Sequence, residues 1–175
     1  MTTGRSRWYV AYVKHCCEQK AAQWLSKEGF EYYLAVRPEI HQWSDRRKVI
    51  QKCVIPGMIF VRCLDSWRVV TLQSPYITHY MMKARGTGEP AVVPDAELEN
   101  FRRFIERAPG SVSMLCAANL RPGDKIKVID GPLAGCTGEL ASVNSTDCIL
   151  VRIGLLGAAA TEISAQSVVK LSEEI

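Results

Sequence analysis

"GDKIKVIDGPLAGCTGEL" (residues 123–140) sets four glycines among short apolar runs. It reads either as a glycine-rich loop that cradles a phosphate or as the turns of a small β-barrel. A phosphate loop needs a Gly-Lys-Ser/Thr ending, because the lysine and the hydroxyl serve the phosphates and Mg²⁺. Here Gly131, Gly135 and Gly138 are followed by Pro132, Cys136 and Glu139. A strand follows rather than a helix, so no helix N-terminus faces an anion. The phosphate reading fails. Asp130-Gly131-Pro132 makes a turn, and Gly135 and Gly138 permit tight strand entry where a Cβ would clash.

Around this stretch the C-terminal third offers only short strands, predicted over 124–129, 137–143, 148–153, 159–163 and 167–171. Five such strands with glycine turns describe a small barrel. Upstream, "PGSVSMLCAANLRPG" (109–123) is a linker of turn residues and small side chains.

The first half has a different pattern. "WYVAYVK" (8–14) is aromatic and β-branched and predicts a buried strand. "EQKAAQWLSK" (18–27) is a helix, with Cys17, Ala21 and Leu25 as its core stripe and Gly29 as its stop. Residues 30–63 form a long β-hairpin around the polar tip "SDRRK" (44–48), with Pro56-Gly57 breaking or bulging the return strand. "DSWRVVTLQ" (65–73) is a short helix capped by Asp65 or Ser66, and a strand follows it. Leu98, Phe101, Phe104 and Ile105 mark a clear helix over 93–108. The fold class is therefore α+β: an α/β sandwich with an antiparallel sheet, a linker, and a small barrel.

The totals exclude several classes. No apolar run approaches the roughly 20 residues of a membrane helix, and the start has no apolar signal region. Seven cysteines, an odd number without CxxC spacing, fit reduced thiols in a cytoplasm better than disulfides or four-ligand zinc. His15, His41 and His79 lie on different elements without a paired acid in a local motif. His15 beside Cys16 could be imagined as base and nucleophile, but sequence neighbours at a strand end rarely face each other. The expectation is no enzyme, no cofactor and no metal. Residues 1–115 carry 17 Lys+Arg against 11 Asp+Glu, and residues 116–175 carry 5 against 7. The first half is the one to suspect of nucleic-acid contact.

The residues also carry a family resemblance. "GDKIKVIDGPLAGCTGEL" resembles the KOW motif. "WYVAYVK", "IPGMIFVR" (55–62) and "SWRVV" (66–70) resemble the N-terminal, or NGN, domain of the NusG family of transcription elongation factors. "WSDRRK" (43–48) is similar to the polar hairpin of UpxY-like antitermination paralogues. The resemblance runs from about Trp8 to Leu171 and implies an NGN-type domain over 7–108, a linker over 109–119 and an SH3-like KOW barrel over 120–172. It implies a monomeric antitermination or elongation factor acting at selected operons. The alternatives are the general elongation factor and a KOW-containing ribosomal or RNA-binding protein.

Site residues follow from the same resemblance. Trp8, Ile55, Met58, Phe60, Trp67 and Val70 would surround an apolar face that receives the clamp helices of RNA polymerase; several of them read equally well as core. Ser66, Trp67 and Arg68 match a segment that touches the opposite pincer of the polymerase. Lys14, His15, Lys20, Gln23, Trp24 and Lys27 match positions that touch non-template DNA, with cations for phosphates and an aromatic for stacking. A solvated helix face is the plainer reading. Arg46, Arg47 and Lys48 form a second basic spot toward nucleic acid, nascent RNA included, or an acidic polymerase surface. In the barrel, Leu155, Leu156 and Ala158 stand in the loop that meets ribosomal protein or Rho. Leu156 replaces the family's aromatic and Ala158 its arginine, which implies weak Rho binding.

Overall fold

The computed structural model describes residues 4–42, 47–84, 86, 88–109, 111–115, 123–143, 146–163 and 165–171. It divides into two compact units, residues 1–95 and 96–175.

The first unit is built on β1 (Arg7–Val13), whose aromatic and β-branched residues suit a central strand. The sheet order is β2 (Glu31–Tyr33), β5 (Met58–Cys63), β1 and β6 (Ile77–Tyr80), all antiparallel, with β7 (Val92–Val93) also on β1. Because side chains alternate along a strand, Tyr9, Ala11 and Val13 share a face with Ile59, Val61 and Cys63. Helix α1 (Glu18–Lys27) covers that face with Ala21, Ala22 and Leu25, forming one buried cluster with Ile77 and Tyr80. Burying a side chain such as Leu25 contributes about 1.5–3 kcal/mol. Gly29, at φ 77°, ends the helix as its position predicts. At the other end the Glu18 carboxylate accepts the Gly57 N–H at 2.8 Å, tying α1 to the Pro56-Gly57 turn.

The expected single long hairpin is interrupted. Its outer part is a separate two-stranded ribbon of β3 (Val36–Gln42) and β4 (Arg47–Cys53), with Ile40 opposite Val49. The inner part, β2 and β5, belongs to the main sheet. Pro56 and Gly57, at φ 75°, make the break. The expected helix over 65–73 is a 3-10 turn (Asp65–Trp67) leading into a four-residue α2 (Arg68–Thr71). Neither Asp65 nor Ser66 caps it through a side chain: no such bond is made, and the Asp65 carboxylate goes to Arg68 instead.

The second unit holds α3 (Asp95–Arg107) from Ala96 onward, with Leu98, Phe101, Phe104 and Ile105 buried. Its sheet runs β13 (Val168–Lys170), β9 (Asp124–Val128), β10 (Thr137–Val143), β11 (Thr146–Ile153), β12 (Gly157–Glu162), β8 (Ser113–Leu115). All five anticipated strands are present. The sixth, β8, comes from the stretch read as linker. The Asn100 side chain donates to the Thr137 carbonyl at 2.7 Å and accepts the Thr137 N–H at 3.1 Å, fixing α3 to β10. A Cβ on Gly138 would sit 2.5 Å from the Leu150 carbonyl oxygen, so only glycine lets β10 and β11 pair there. Gly135 is needed for a different reason from the one expected. The space around it is open, but its φ is 88°.

Candidate functional site

Helix α2 inverts the usual sorting of residues. It buries Thr71 and leaves Val69 68% and Val70 43% exposed, with Trp67 55% exposed just before it. Leu72, which follows, is also exposed. The polar groups beneath explain how this ridge is held. Arg68 donates from Nε to Asp65 Oδ1 at 2.9 Å and lies 5.3 Å and 5.5 Å from the ring centres of Tyr9 and Tyr80. Thr71 donates its only hydroxyl proton to the Arg68 carbonyl, at 2.7 Å, so Tyr80 must be the donor in the 2.6 Å contact between the two hydroxyls. Burial raises the Tyr80 phenol well above its ordinary value and pushes the nearby Cys63 thiol up to about 11. Burial, with Asp65 second, also raises Tyr9. This layer stays uncharged apart from the Arg68–Asp65 pair. Trp67 is braced edge-on by Phe30, ring centres 6.1 Å apart.

The expected docking residues divide accordingly. Trp67, Val70 and Ser66 are exposed and Met58 is half-buried. Trp8 and Ile55 are buried, as is Phe60, so they stand in the core rather than on a surface. The Arg62 guanidinium lies 5.8 Å from the Trp8 ring. Arg68 is engaged with Asp65, Tyr9 and Tyr80 and supports the ridge from below. Two residues of the ridge, Val69 and Leu72, escaped the sequence reading. The apolar run "VVTL" (69–72) was the signal, but nothing local says that its threonine faces inward.

A second surface feature also went unread. Tyr12 and His79 are cross-strand partners whose rings stack at 4.5 Å and 19°. Thr78 donates to the Tyr12 carbonyl at 3.1 Å and contacts His79 Nδ1 at 3.0 Å. With its proton so used, Thr78 must accept from Nδ1–H. Met58 lies opposite Tyr12 on its other side.

Of the expected nucleic-acid contacts on and before α1, Lys14, His15, Lys20, Gln23 and Lys27 are exposed. Trp24 packs half-buried against the α1 cluster, which reduces the ring area open to a base. Arg47 and Lys48 are exposed at the start of β4, and Arg46 lies outside the described residues. Lower on the ribbon, Lys52 pairs with Glu39 at 2.8 Å.

In the barrel, Ala158 is not a loop residue. It is buried in β12, opposite Leu115. Leu156 is half-buried in a 3-10 turn (Gly154–Leu156), and the Leu155 side chain lies outside the described residues. Arg152 holds Glu139 through two hydrogen bonds, 2.5 Å and 2.9 Å. Among the described residues, no group of three or more His, Cys, Asp or Glu is disposed to hold a metal, and no helix is long and apolar enough to cross a membrane.

With an antiparallel α/β unit followed by a glycine-turned barrel in place, comparison with known proteins decides the family. Residues 6–102 match the family model described as "Transcription termination factor nusG". The chain belongs to the NusG family. It is similar to the NusG transcription termination/antitermination protein of Bacillus subtilis, at 27% identity over 78% of this chain and 81% of that one. Staphylococcus aureus NusG is 23% identical over 81% and 82% of the two chains. A solved structure of Thermotoga maritima NusG, concerned with domain interaction in that protein, covers 96% of this chain and 98% of its own. Its TM-score is 0.50 at 17% identity, which supports the fold: an NGN-type unit and a KOW-type barrel in NusG order.

Proposed function

We propose that this NusG-family chain binds RNA polymerase and promotes elongation or antitermination without catalysis, at selected operons. The observation that carries the reading is the apolar ridge of Trp67, Val69, Val70 and Leu72, with Arg68 paired to Asp65 and packed on Tyr9 and Tyr80 beside it. An apolar ridge with a Trp anchor suits a helical partner such as the clamp helices, since Trp is a frequent hot-spot residue and helices dock through apolar faces. The exposed cations Lys14, Lys20 and Lys27 supply the contact to non-template DNA or nascent RNA. Binding one polymerase conformation better than another shifts the population away from paused states, which needs no bond-making chemistry. The domains that would do this are the NGN-type region over 7–108 and the barrel over 120–172, acting as a monomer in the cytoplasm.

Single-round transcription with purified polymerase on a template bearing pauses and terminators tests it. Shorter pauses or increased read-through is the expected result. Polymerase that does not retain the protein, beside ribosomal RNA that does, would instead favour a ribosomal or RNA-binding role.

A further inference from the structure

The ribbon of β3 and β4 is a sheet of its own, and every residue of β4 from Arg47 to Lys52 is exposed. A two-stranded hairpin is marginal in water unless something packs against it. Alternate residues of a strand share a face, so Arg47, Val49 and Gln51 line one side of β4. The register sets Ile40 opposite Val49 and Pro38 opposite Gln51 on that side. Ile40 and Val49 are 71% and 60% exposed, an apolar pair held in water. Lys48 and Lys52 lie on the back, where Lys52 pairs with Glu39. Arg47 and Lys48 pair with no carboxylate among the described residues.

Residues 36–53 carry five Lys+Arg against two Asp+Glu, most of the whole chain's net charge of +4. An anionic partner suits them. That partner must also offer apolar surface between its charges, because Ile40 and Val49 share a side with Arg47. A nucleic-acid groove has this composition: base edges, thymine methyls included, between two lines of phosphates. Shape selects the groove. The major groove of B-form DNA, about 12 Å wide, admits a two-stranded ribbon, whereas its minor groove is about 6 Å wide. The major groove of A-form RNA is deep and narrow. The side chains suit base edges too, since Arg pairs with guanine, Gln with adenine, and aliphatic groups touch the thymine methyl.

We propose that the β3–β4 ribbon is a reader of double-stranded DNA that lies in the major groove. Arg47, Val49, Gln51 and Ile40 face the base edges, and Lys48 adds charge toward the phosphates. The site lies on other elements than the α1 cations and needs no polymerase.

Anisotropy titrations of the full-length chain compare a labelled DNA duplex of mixed sequence with the RNA duplex of matching sequence. Phosphate contacts elsewhere on the chain strengthen both alike, so the ratio isolates the groove. The DNA duplex should bind about tenfold more tightly. Ile40→Ser with Val49→Ser should erase that preference. If the double change unfolds the ribbon, Val49→Thr keeps the β-branch and Gln51→Ala leaves the apolar pair intact; each should lower the preference several-fold. A DNA duplex carrying bulky 5-substituted pyrimidines, which fill the major groove alone, should compete poorly. No binding to the DNA duplex, equal or tighter binding of the RNA, a preference that survives in every folded variant, or full competition by the modified duplex overturns the proposal.

Discussion

The hydroxyls of Thr71 and Tyr80 meet at 2.6 Å beneath the apolar ridge, and their hydrogen bond has a fixed direction, from Tyr80 to Thr71. The two ends are therefore unequal. Thr71→Val leaves the buried phenolic proton to the Cys63 sulfur, a weak acceptor, among the described residues. It should cost about 1–3 kcal/mol, whereas Tyr80→Phe removes the donor itself and should cost about 1 kcal/mol or less. Urea unfolding of both variants reads the difference. A larger loss from Tyr80→Phe than from Thr71→Val would mean that the bond runs the other way.

The ridge should matter to binding and little to folding. Trp67→Ala and Val69→Asp alter exposed side chains, so their unfolding midpoints should remain near that of the unaltered chain. Their affinity for polymerase should fall by more than ~1 kcal/mol, the scale of an interface hot spot. Retention on immobilised polymerase checks this, and full retention by both variants removes the ridge from the docking surface.

The cations of α1 should act on nucleic acid alone. Lys20→Ala with Lys27→Ala should leave polymerase retention unchanged while weakening single-stranded DNA binding. The slope of log affinity against log salt should flatten by roughly 1.4, about 0.7 for each single-strand phosphate that a lysine no longer neutralises. An unaltered slope would show the face to be merely solvated.

Acid should loosen the barrel through Glu139. The Arg152 hydrogen bonds, joined by the Gly123 N–H, hold its carboxyl below the usual carboxylate range despite burial. A pKa depressed in the folded state stabilises above the unfolded-state value, and that contribution is lost as pH falls from there through the folded-state value. Glu139→Gln should therefore lower stability at neutral pH and flatten the stability profile as pH falls through and below the ordinary glutamate value of 4.5. Urea midpoints across that range give the comparison, and parallel profiles would refute it.

Elements with a local signal were legible in the sequence. Ala21, Leu25 and Gly29 announce α1, and the glycine turns around 131–138 announce the barrel. What stayed hidden depended on distant partners. Arg68 reads as a surface cation until Tyr9 and Tyr80, from two other strands, arrive beneath it. The family resemblance puts Trp8 and Ile55 on a docking face, and nothing local in the sequence shows that both are buried. Strand β8 has only three residues, too few to show an alternation, and exists because β12 offers an edge. The Tyr12–His79 stack needs the β1–β6 register, which no local pattern supplies.

The inward threonine and outward valines of α2 bear on how much of this protein a cell can usefully hold. If Trp67, Val69, Val70 and Leu72 are the proposed docking ridge, a molecule that keeps them in water is poorly suited to a cell in which that partner is scarce. Copies made in excess would find one another through the same ridge. Expression beyond the number of partner molecules should therefore yield sedimenting self-associated material, and that number sets the useful ceiling on its abundance.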